Sequence, residues 1–256
     1  MKNLIQSEIK KIFFLKFSKN YLISMIAMGL ALGIIFSLTT NVTQGKAITE
    51  LSPMDIVSTN MLGVDLANVM LIIFTALSIS KEFSTDAIYV SLVVTPNRKK
   101  FFASKMITYF LLSIVVSIVM VALTYLTSQL ILSVHGMSRI AFQNANLRQF
   151  LLGVSVMPVF YCLLAVAATF IFESSGGSIT FSLGIMAIPA LIKMFSSTIQ
   201  KLVMPILPQS AIHSLSGVAE QNSFESLGIF FSICILLAWI ILVSLIAVVK
   251  FQKQDI

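Results

Sequence analysis

Apolar stretches of about 20 residues, the length needed to cross a bilayer core of roughly 30 Å, recur six times in this chain. They lie at 21–40, 56–80, 106–134, 150–172, 179–196 and 227–249. In lipid, backbone N–H and C=O groups must be satisfied inside the protein, so stretches of this length read as helices that satisfy their own backbone. The composition agrees with this reading. Hydrophobic residues make up 57% and charged residues only 11%, against roughly 25% charged in soluble domains. Too few charges remain to cover a water-facing surface. The spacing predicts an all-α, polytopic membrane protein with six transmembrane helices. A soluble enzyme and a disordered chain are excluded. The fifth stretch is the weakest, because Pro189 and Lys193 interrupt it.

Basic residues orient the spans. With the N-terminus inside, the inner segments hold Lys2, Lys10, Lys11, Lys16, Lys19, Lys81, Arg98, Lys99, Lys100, Lys105, Lys250 and Lys253. The outer loops hold only Lys46, Arg139, Arg148 and Lys201. This asymmetry predicts that both termini are cytoplasmic. The net charge of +7 follows from the same bias and does not imply nucleic acid, since no basic-aromatic face accompanies it. The basic region before the first span is too long for a cleaved secretory signal, so that span is expected to be retained.

The segments between the spans divide the chain further. Residues 1–20 place Ile5, Ile9, Ile12, Phe13 and Phe17 at helical spacing, with Gln6, Lys10 and Lys11 opposite. This pattern predicts an amphipathic interfacial helix whose lysines lie near anionic lipid headgroups; the other reading is a disordered basic tail. Residues 21–256 then form one six-helix membrane domain. Within it, 81–105 reads as a long polar cytoplasmic loop, and 173–178 as a tight turn. Residues 197–226, interrupted by Pro205 and Pro208, read as broken or re-entrant outer helices.

Most site chemistry is missing. There is no phosphate-binding Gly-x-x-x-x-Gly-Lys-Ser/Thr loop and no His-Glu-x-x-His metal motif. His135 and His213 fall in outer segments without paired ligands, and Ser155 has no histidine at membrane depth to activate it. Cys162 and Cys234 sit in apolar runs and read as apolar side chains rather than a disulfide. No catalytic residue, metal site or cofactor is expected in the chain itself.

Polar groups within the spans are more informative. Asp65 and Lys193 each lie about 15 residues, roughly 22 Å of helix, from the inner ends of their spans. They either pair near the outer leaflet, within one chain or across a dimer, or each snorkels to the headgroups. Asn68 lies one turn from Asp65. In the first span, Gly29 and Gly33 make a small-xxx-small surface suited to close helix or dimer contact.

The segment 81–105 resembles the first cytoplasmic loop of type-2 ATP-binding-cassette exporter permeases. Glu82, Ile88, Pro96, Arg98 and Lys105 match that pattern in order, with Asp86-Ala87 where Gly-Thr is usual. The resemblance also takes in the amphipathic segment, the six-span plan and the broken outer segment. It implies that Glu82, Pro96, Arg98 and Lys105 couple the chain to a cytoplasmic ATPase subunit, present in two copies, which binds ATP and Mg. It further implies a second permease chain, identical or sister. Size and composition are similar to the peptide-exporting or peptide-immunity branch of Gram-positive bacteria. That likeness implies a cell-membrane exporter of cytolytic or antimicrobial peptides. Export of a lipid, glycan or drug, and a peptide-binding immunity or sensor protein without transport, are the alternatives.

Overall fold

Three of the long helices begin where the sequence supplies a side-chain cap. In the computed structural model, which describes residues 2–43, 45–85, 87–94, 97–219 and 223–253, the chain opens with α1 (Lys2–Phe14), α2 (Lys16–Leu38) and the short α3 (Thr40–Thr43). Ser52 then caps α4 (Pro53–Asn60): its hydroxyl accepts from the Asp55 amide, and the Asp55 carboxylate accepts from the Ser52 amide. After Met61 the chain continues as α5 (Leu62–Ser84), then α6 (Ala87–Val94) and α7 (Arg98–Val134), which Asn97 caps through Lys100 N at 3.0 Å. Asn144 and Ser174 cap α8 (Ala145–Phe172) and α9 (Ser175–Ile192) in the same way. Two short helices, α10 (Ser197–Val203) and α11 (Pro208–Leu215), precede α12 (Ile229–Lys253).

Six segments among the described residues are long and apolar enough to cross a membrane: α2, α4 with α5, α7, α8, α9 and α12. The centre of the bundle is α8, which packs against α5, α7, α9, α11 and α12. Of its apolar window 78% is buried, against 22% for α2, α9 and α12. A helix buried around its whole circumference must be ringed by protein, whereas the other three turn most of their surface outward. Along α8 every residue from Phe160 to Phe170 is buried.

The close approach of α2 to α5 depends on glycine. Gly29 and Gly33 lie against Gly63 and Asn60, and a Cβ on Gly33 would stand 2.5 Å from the Asn60 carbonyl oxygen. The small surface in the first span therefore serves a contact within the chain.

Three boundaries differ from the sequence reading. The amphipathic helix ends at Phe14, and extended backbone at Leu15 starts a new helix. Lys16 and Lys19 therefore belong to the first span, and Phe13 and Phe17 face outward at 57% and 64% exposure. The expected polar loop at 81–105 is mostly helix, because α5 and α7 run past the bilayer length and the apolar α6 lies between them. At 37 residues, α7 spans about 55 Å, well beyond a hydrocarbon core. Finally, α9 stops at Ile192, short of the expected end at 196.

Candidate functional site

Four ionisable side chains meet where α1 crosses the end of α5 and the start of α7. Lys105 is 1% exposed, and its ammonium donates to both Glu82 oxygens at 2.6 and 2.7 Å and to Glu8. Lys11 bonds Glu8 at 2.8 Å and reaches Glu82 at 3.6 Å. The Phe101 ring lies 5.5 Å from the Lys105 ammonium. The cluster is neutral overall, with two carboxylates against two ammoniums. Burial pushes the Glu8 carboxyl up, but Lys105 and Lys11 together outweigh it and hold it below its ordinary value. Burial likewise opposes the charge on Lys11, and Glu8 with Glu82 reverses that effect and raises it.

An aromatic group lies beside these charges. Phe83, Phe101, Phe170 and Phe251 stack edge-on or tilted, with centroids 5.1 to 6.5 Å apart. They pin α5, α7, α8 and α12 at the end of the bundle that holds α1. Arg98 continues the arrangement. Its guanidinium donates to the Phe251 carbonyl at 2.9 Å and lies over the Phe251 ring, capping the C-terminal end of α12 with a cation. Replacing Arg98 with Gln should loosen this end by about 1 kcal/mol, seen as roughly fivefold faster amide hydrogen exchange at residues 248–253 with α8 unchanged.

Next to the charge cluster is a cavity of about 840 Å³. Ile12, Leu15, Phe17 and Leu77 give it apolar walls, and Glu8, Lys11, Lys81 and Glu82 give it a charged rim. The turn at Glu173–Ser175 closes one side. Glu173 holds left-handed backbone there (φ 54°) and pairs with Lys250 at 3.0 Å.

The sequence-derived residues sort as follows. Glu82 and Lys105, 23 positions apart, come together; Arg98 joins the last helix instead; Pro96 lies outside the described residues. Asp65 and Lys193 do not pair within the chain. Lys193 bonds Glu225 at 2.7 Å, because the segment after α11 brings that carboxylate back over the end of α9. Lys193 and His213 hold the Glu225 carboxyl below its ordinary value against the effect of burial. Among the described residues, no group of three or more His, Cys, Asp or Glu is placed to bind a metal. Cys162 and Cys234 are free thiols.

Sequence reasoning missed Glu8. It is the single acidic residue in the first 20 positions, and a lone carboxylate in a basic interfacial helix is the signal that marks it.

The chain belongs to the ABC-2 transporter family: the family model described as "ABC-2 family transporter protein" matches residues 4–186, more than half of the chain. No curated protein and no solved structure matches it. The protein is thus a membrane permease component of an ABC transporter, a family whose permeases work with a separate cytoplasmic ATPase subunit. The matched residues contain all four members of the buried charge cluster.

Proposed function

We propose that this permease exports an amphipathic substrate, foremost a cytolytic or antimicrobial peptide, across the cell membrane of a Gram-positive bacterium. The observation that carries this reading is the cavity beside α1. Its apolar walls and charged rim suit a molecule with one greasy and one charged face. The positive-inside bias places this cavity at the cytoplasmic leaflet, where such a peptide would partition after synthesis.

Work comes from two ATPase subunits that hold ATP and Mg, acting on two permease chains. Coupling runs through the α5–α6–α7 segment. The exposed apolar Val93 of α6, at 84%, supports docking there. By the family resemblance Pro96 and Arg98 belong to the stretch that meets the ATPase, and Glu82 and Lys105 transmit the push to α1.

Affinity purification of the tagged chain from its own membranes, with ATPase activity assayed in the eluate, tests the reading. An ATPase should follow the wild type, and amphipathic peptides should stimulate it. Val93→Asp, which leaves the charge cluster intact, should cut the recovered activity at least tenfold. A wild-type eluate without ATPase would sink the coupling scheme, and stimulation by no peptide would sink the substrate assignment.

A further inference from the structure

At the opposite end of the bundle, a cavity of about 340 Å³ lies between α4–α5, α8 and α11. Met61, Leu62, Phe150, Val154 and Met157 make its walls apolar. A second cavity of about 730 Å³ shares Ser58, Phe150, Ser216 and Val218 with it and leads on toward the segment before α12.

The polar groups of the smaller cavity are committed elsewhere, with one exception. Tyr161 O–H donates to Gln209 Oε1 at 2.9 Å, and Gln209 Nε2 donates to His213 Nε2 at 3.1 Å. His213 Nδ1–H, the tautomer this chain of bonds requires, donates to Glu225 at 3.1 Å. The hydroxyls of Ser58 and Thr59 donate to the Asp55 carbonyl, and that of Ser216 to the His213 carbonyl. Asp65 is the exception. Among the described residues it is the single carboxylate lining either cavity, and it has neither a hydrogen-bond donor nor a cation from the chain.

An anion in an apolar membrane setting is costly unless it is paired. Asp65 lies in the first turn of α5 and lines this cavity. One carboxylate among committed amides and hydroxyls offers far too few oxygens for a hard divalent cation. The apolar walls suit a hydrocarbon chain, and the Phe150 ring suits a cation.

We propose that this cavity binds an alkylammonium group through Asp65, with the attached hydrocarbon against Met61, Phe150 and Met157. Such a group is carried by an aminolipid headgroup or by a peptide amine. The site depends neither on the ATPase nor on the direction of transport, so its test stands apart from that of the exporter reading.

Hexylammonium binding to the full chain in phosphatidylglycerol nanodiscs, measured by calorimetry, tests it. Asp65→Asn should weaken binding at least tenfold, Asp65→Glu should retain it, and hexanol should not distinguish the wild type from Asp65→Asn. Equal hexylammonium affinity in wild type and Asp65→Asn would overturn the proposal, as would hexanol binding the wild type as tightly as the amine. Loss of the site in phosphatidylethanolamine nanodiscs would assign it to lipid. Competition by a lysine-bearing amphipathic peptide, and not by its acetylated form, would assign it to peptide. Competition by neither would overturn the assignment.

Discussion

Lys105→Met should unfold the end of the bundle that holds α1. The substitution leaves Glu8 and Glu82 facing each other with only the half-exposed Lys11 between them. Removing one partner from a buried ion cluster costs about 3–5 kcal/mol, because the remaining charges stay desolvated and unpaired. Denaturation of the purified chain by SDS in mixed micelles should shift by that amount, and a protease site should open near Leu15. The triple variant Glu8→Gln, Glu82→Gln, Lys105→Met removes the charge problem and should regain most of the loss. If the single variant is as stable as the wild type, the cluster does not hold α1.

The pH response of the cluster follows from the same charges. Glu8 is held below its ordinary 4.5, so the detached helix binds more protons than the docked one in acid. Its contribution is fully present above about pH 4.5 and is lost as pH falls through the lowered value. Lys11 is held above its ordinary 10.5. Its contribution is complete below about pH 10.5 and fades as pH rises through the raised value. Docking of α1 should therefore be insensitive to pH between those limits, as read from protease protection at Leu15.

Gly63→Ala is the second large effect. A Cβ there would overlap the Gly29 carbonyl oxygen and stand 3.2 Å from Gly33 Cα. These are backbone atoms, which cannot rotate away, so α2 must separate from α5. Overpacking of this kind costs about 1–3 kcal/mol, and a longer side chain such as Leu should prevent assembly of the pair. Gly184→Ala is the control, since nothing lies within 4 Å of a Cβ there. It should be neutral or slightly stabilising, because alanine favours helix over glycine. Equal effects at the two glycines in the same SDS titration would show that the α2–α5 approach is not limiting.

The six spans were legible because bilayer thickness sets their length, and length is a local property of sequence. The breaks at Pro205 and Pro208 were legible for a similarly local reason: proline lacks the amide hydrogen of a helix interior. The end of α1 was not. Ile5, Ile9, Ile12, Phe13 and Phe17 fit one helical face, and only the docking of Glu8 and Ile12 against the bundle decides where that helix must bend. Glu82 and Lys105 were visible through a resemblance, as residues on a surface awaiting an ATPase. Their burial with Glu8, 97 positions from Lys105, was not visible.

The two charges at matched depth are the clearest case. Asp65 and Lys193 look complementary in sequence, yet Lys193 takes Glu225 and Asp65 faces a cavity. Sequence by itself determined which six segments are long and apolar enough to span a bilayer and which end carries positive charge, since each follows from the chemistry of neighbouring residues. Only the tertiary structure decided which buried charges pair and which glycines touch. Those outcomes depend on which helix faces meet, and that is settled by packing between segments far apart in the chain.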